Sequence, residues 1–148
     1  PLPAAIRTAL LLVALAALMP IVAGIGGNSG NQTITMIVRA MALGQLQRAN
    51  AKALLKKELA ISLLNGVVWG SIFGFFATML YDSIPLGIVM MAAMTLNLVV
   101  AALFGVFIPM LMHRFGRDPA VGSSVLITAI TDSGGFFIFL GLATLFLL

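Results

Sequence analysis

A chain of 148 residues that is 61% hydrophobic and only 8% charged, with a mean hydropathy of +1.18, carries more apolar surface than one soluble core can hide. Its net charge of +4 does not point to nucleic acid, because the basic residues flank apolar runs and no aromatic side chains are interleaved with them for base stacking. Cysteine is absent, which excludes disulfides, thiolate metal sites and cysteine nucleophiles, and the natural solvent of the chain is a lipid bilayer.

In chain order the sequence predicts an all-α, polytopic transmembrane helical bundle with four membrane segments. The first runs from about Leu2 to Ile25 and meets a Gly/Asn-rich break, Gly24-Ile25-Gly26-Gly27-Asn28-Ser29-Gly30-Asn31-Gln32, before a helical stretch to about Gln47. Glycine lets a chain leave helical geometry, which would free carbonyl oxygens. With the amides of Asn28 and Asn31 and the backbone at Gly27, such oxygens suit a hard cation or its water shell. A glycine-rich helix end is the other reading of the same residues. A phosphate loop is not, since no strand precedes the glycines and no Gly-Lys-Ser/Thr ends them.

The second span covers roughly Leu54 to Tyr81 and the third Pro85 to Met112, joined by the turn Tyr81-Asp82-Ser83-Ile84-Pro85, with Pro85 placed for a first helical turn. Asn65 and Asn97 lie near the middles of these spans and read as hydrogen-bonding groups between helices. Glu58 either attracts cations or pairs with Lys56 and Lys57, and His113 reads as an interfacial residue. The fourth span runs from Pro119 to Leu148, with Asp118 as its expected cap.

If the segment from Leu2 to Gln47 crosses once, Arg39, Arg48, Lys52, Lys56 and Lys57 share a side with His113, Arg114 and Arg117, leaving only Arg7 and the Asp82 turn opposite. The positive-inside rule then places the basic side in the cytoplasm, with Leu148 and Pro1 outside. One further helix upstream would be needed to reach Pro1 from the cytoplasm. A separate fifth span over 32–47 is rejected, because it would put Arg39 near mid-membrane.

Asp132 carries the most chemical information. It lies near the middle of the fourth span, where an ionisable group is costly unless it is paired, neutralised or faces water. Helical spacing places Ser124, Thr128, Thr131, Asp132 and Gly135 on one stripe of an otherwise Val, Leu, Ile and Phe helix. Such a seam suits the wall of an ion path, and it also suits hydrogen-bonded helix packing.

The run from Pro20 to Gln32 resembles the glycine–asparagine signature of MgtE magnesium channels. Arg117-Asp118-Pro119-Ala120-Val121, Ser123-Ser124 and Thr131-Asp132-Ser133-Gly134-Gly135-Phe136-Phe137 resemble the signature of that family's last helix. The resemblance implies a homodimer in a bacterial plasma membrane, a pore on its two-fold axis and five helices per subunit. Mg²⁺ is the implied ion, with Mn²⁺, Co²⁺ and Ni²⁺ open as further cargo.

In that reading residues 1–148 are a single transmembrane pore domain, with a helix and cytoplasmic magnesium-sensing domains upstream. Asp132 projects into the pore from both subunits, and the asparagine and glycine residues from Asn28 to Asn31 lie near the path. Gly27 and, from the helical stripe, Thr128 and Ser124 complete the candidate metal-contacting residues. Ser124 stands where some relatives carry a pore-lining asparagine. An ion-coupled secondary transporter and a non-conducting assembly domain are the alternatives. An intramembrane enzyme is not expected, because only Asp132 offers a catalytic acid at depth.

Overall fold

In hydrocarbon every backbone N–H and C=O must find a partner inside the chain, so apolar stretches of this length close their own hydrogen bonds as helices. The computed structural model describes residues 2–46 and 48–148, with Arg48 and Ala49 described by backbone only. Pro1 and Gln47, the expected outer start of the chain and end of the first helical stretch, lie outside the described residues, as does the Arg48 side chain. Four helices form: α1 (Ala4–Ala42), α2 (Arg48–Tyr81), α3 (Ile84–Arg114) and α4 (Ser123–Phe146). Each is long and apolar enough to cross a membrane, and no strand occurs among the described residues.

The expected break in the first span does not interrupt its backbone. The 39 residues of α1 are helical straight through Gly24–Gln32, and the stretch beyond continues the same helix rather than forming a fifth span. The glycines serve packing instead of unwinding: Gly26, Gly27 and Gly30 are buried where α3 and α4 approach, while Gly24 faces open space. At 1.5 Å per residue α1 is about 58 Å long, roughly twice the hydrocarbon thickness. It therefore tilts or projects at its Arg39 end, where the arginine is exposed.

Two termini differ in their chemistry. Ser83 caps α3 by accepting from the Leu86 N–H at 3.3 Å, with Pro85 in the first turn as the sequence predicts. Asp118 does not cap α4; its Oδ1 accepts from Ala120 N–H at 3.0 Å and closes the turn before the helix. The helix begins four residues later than expected, at Ser123, because Gly122 adopts φ 88°, a left-handed conformation that breaks helical continuity.

Helix α3 is the centre of the bundle and packs against the other three; α1 and α4 also pack on each other, whereas α2 lies along α3 and barely meets α1. The main core joins Leu15, Leu18 and Val22 of α1 to Met90 and Met94 of α3 and Phe139 of α4. Small residues set the α2–α3 approach. A Cβ on Gly74 would stand 2.6 Å from the Gly87 carbonyl oxygen, and one on Gly66 would stand 2.7 Å from Thr95 Cα. Backbone cannot yield as a side chain can, so Gly74→Ala is expected to cost about 1–3 kcal/mol by overpacking. A lowered unfolding midpoint in detergent checks this; an unchanged midpoint would mean that α2 slides freely on α3.

One end of each of the four helices borders a crevice lined by Ala4, Arg7, Tyr81, Asp82, Leu86, Leu147 and Leu148. Arg39, Lys52, His113, Arg114 and Arg117 therefore gather at the opposite end, as the antiparallel reading requires.

Candidate functional site: a polar seam between α1 and α4

Side-chain contacts fix the antiparallel register of α1 and α4. Ser124 Oγ donates to Asn31 Oδ1 at 2.6 Å, Gly30 lies against Ile127, Gly27 against Thr131, and Gly135 against Ala23. Asp132 follows Thr131 directly and so stands close to the level of the α1 glycines. It is the tenth residue of α4, about 14 Å along an axis of about 36 Å.

The predicted stripe divides into two. Thr131 and Gly135 are buried, part of the four-residue repeat Ser123, Ile127, Thr131, Gly135, Phe139 and Ala143 that packs inward. Ser124, Thr128 and Asp132 face outward on the surface of the four-helix unit. A stripe about 100° wide straddles the edge of the helix contact, so one side becomes interior and the other surface. Thr131 Oγ1 is satisfied within α4 by the Ile127 carbonyl at 2.8 Å.

On α1 Gly24, Asn28, Gln32 and Thr35 are exposed, and Asn31 is half-buried. Asn31 is held at both ends of its amide: Nδ2 donates to the Gly27 carbonyl at 2.9 Å while Oδ1 accepts from Ser124. The structure thus brings Asn31 and Ser124 together and aligns them with Thr128 and Asp132. Gly27 lies beneath, buried against Thr131. Asn28 takes a different position, lining a cleft of about 420 Å³ between α1 and α2 with Ser29, Gln32, Asn65 and Trp69.

Asp132 makes no hydrogen bond to another described residue. No group of three or more His, Cys, Asp or Glu that could hold a metal occurs among the described residues. A cation at this seam would therefore meet one carboxylate per chain, with hydroxyl, amide and water oxygens beside it. That donor set suits a hard cation that keeps much of its water.

Asn97 has the structural role the sequence favours. It is fully buried, and its Nδ2 donates to the Val22 carbonyl at 3.0 Å, tying α3 to α1. Gly26 and Gly135 make its slot, since a Cβ on Gly135 would stand 2.8 Å from the amide nitrogen and one on Gly26 would overlap it. The Asn97 Oδ1 has no hydrogen-bond partner among the described residues.

Glu58 proves more consequential than the sequence alone decides. Lys56 and Lys57 are exposed, whereas Glu58 is buried and turned toward α1, where Thr33 Oγ1 donates to its Oε2 at 3.1 Å. The signal was available in the spacing: Glu58, Ser62 and Asn65 recur at i, i+4 and i+7 on one face of α2. Thr33→Val removes that hydroxyl and leaves the carboxylate without its donor, with an expected cost of about 1–3 kcal/mol. Chemical unfolding in detergent reads the loss, and Thr33→Ser, which keeps the hydroxyl, should restore most of it.

The comparisons with known proteins converge on one family. The MgtE family model, described as a divalent cation transporter, matches residues 19–142. The chain is 35% identical over 138 residues to a magnesium transporter MgtE of Thermus thermophilus, covering 92% of this chain and 30% of that protein. It is 33% identical over 133 residues to one of Enterococcus faecalis, covering 90% and 29%, and 29% identical over 136 residues to one of Bacillus subtilis, covering 92% and 30%. The chain thus spans about 30% of the length of the relatives it matches. With its four membrane-crossing helices and most of its length inside the matched region, the chain is an integral membrane member of the MgtE family of divalent cation transporters.

Proposed function

We propose that this chain is the pore domain of a magnesium channel, in which two copies pair along their α1–α4 seams and pass Mg²⁺ between them. The observation that carries the reading is the outward-facing carboxylate of Asp132 near the middle of an apolar span, with no hydrogen-bond partner among the described residues. Facing lipid it would be costly by several kcal/mol. Facing a second copy across a watered axis, it becomes one half of a cation-attracting pair. The names of the relatives, all magnesium transporters, support Mg²⁺ as the cargo.

Conduction in this reading is electrodiffusion without a chemical step. Mg²⁺ sheds water reluctantly, so the two Asp132 carboxylates hold a largely hydrated ion through its water molecules. Thr128, Ser124 and Asn31 continue the hydrophilic wall toward the basic end. The basic end faces the cytoplasm of a bacterial cell and the C-terminus faces outward. Residues 1–148 act as one pore unit, to which further segments of the protein would add regulation.

The test is voltage-driven Mg²⁺ uptake into liposomes that hold the purified chain. Uptake should rise with an inside-negative potential and need no opposing ion gradient. Uptake that ignores voltage but requires such a gradient would replace the channel with a coupled transporter.

A further inference from the structure

Two adjoining cavities at the basic end of the bundle belong neither to the α1–α4 seam nor to the cleft around Asn28. One, of about 420 Å³, runs between the start of α2 and the end of α3, with Lys52 and Leu55 on one side and Leu103 and Phe104 on the other. The second, of about 430 Å³, reaches Met41, His113 and Arg114. Phe107 and Met110 line both, so the two cavities form a double groove.

Its chemistry is graded. The walls between the helices are Leu, Phe, Val and Met, while the charged residues are Lys52 near the start of α2 and Arg114 at the last position of α3. No acidic residue lines either cavity. Lys52 and Arg114 are exposed, and Phe107 is 55% exposed although it is large and apolar. An apolar slot that opens beside fixed cations at a helix end has the polarity profile of one lipid molecule, carbon inward and anion at the interface.

We propose that this double groove binds one anionic phospholipid. Its phosphate sits among Lys52, His113 and Arg114, and its acyl chains lie against Leu103, Phe104, Phe107 and Met110. Charge complementarity selects the anionic class. A zwitterionic headgroup would bring its own cation against Lys52 and Arg114 with no acidic residue of the groove to receive it. The apolar walls select a lipid over a free phosphate, which would leave them unfilled.

The test is native mass spectrometry of the purified chain in detergent, titrated with phosphatidylglycerol or phosphatidylcholine of identical acyl chains. Phosphatidylglycerol should be retained roughly twenty-five-fold more strongly, since Lys52 and Arg114 near an anionic lipid each contribute about a factor of five. The double variant Lys52→Gln/Arg114→Gln should abolish that preference, and Leu103→Trp, which fills the groove, should reduce retention of both lipids. Equal retention of the two lipids by the unaltered chain would overturn the proposal. So would unchanged phosphatidylglycerol retention in both variants, or its full displacement by inorganic phosphate. Mg²⁺ uptake plays no part in these outcomes, so the lipid site and the pore stand or fall separately.

Discussion

Asp132→Asn is expected to reduce Mg²⁺ uptake by roughly ten- to a hundredfold while leaving the protein as stable as before or more so. Contacts to a charged group are worth about 1.5–3 kcal/mol, and each 1.4 kcal/mol is about tenfold in affinity. Asparagine keeps the shape and an oxygen but removes the charge that draws a divalent ion from water. Stability should not fall, because the carboxylate faces outward and makes no hydrogen bond that the fold would lose. Paired uptake and unfolding measurements separate the possibilities. Unchanged uptake would remove Asp132 from the ion path, and a large loss of stability would make it a packing residue. Asp132→Glu keeps the charge but lengthens the side chain, so it should fall between the two.

The second large effect contrasts two glycines of α1. Gly26→Ala places a methyl where the Asn97 amide stands, and that amide is fully buried and bonded to the Val22 carbonyl. The amide must swing away and abandon its acceptor, for an expected loss of about 1–3 kcal/mol. Gly24→Ala, two residues earlier, meets nothing within 4 Å and should be neutral or gain up to about 1 kcal/mol from helix propensity. Unfolding midpoints of the two variants side by side decide it. Equal midpoints would mean that the glycines are interchangeable and that the Asn97 slot has no energetic weight. Because Gly26 and Asp132 stand at similar depth on neighbouring helices, Gly26→Ala should also disturb uptake, through misplacement rather than lost charge.

The two glycines illustrate why local composition misleads within the membrane. Three glycines and three side-chain amides within 26–32 suggest a chain leaving helical geometry, yet α1 is unbroken. In lipid an unwound segment must re-satisfy every freed carbonyl, whereas a helical glycine satisfies its own and admits a neighbour. The sequence therefore located the polar depth of α1 correctly but assigned the wrong backbone to it. The Asp118 cap failed for a related reason: Gly122, with its positive φ, sets the start of α4 instead.

By itself the sequence determined the solvent, the four spans, the antiparallel order, the clustering of basic residues at one end and the family, because each rests on composition, spacing or short motifs. It also singled out Asp132, since one ionisable residue in the middle of an apolar helix is conspicuous without coordinates. Tertiary structure alone decided which polar residues face outward. A helix nearly apolar all round has no preferred side, so only the positions of its neighbours buried Thr131, Gly135 and Asn97 while leaving Thr128 and Asp132 on the surface. The burial of Glu58 against Thr33 belongs to the same category. Its partner lies 25 residues away on another helix, and contact across that separation is set by packing rather than by any local pattern.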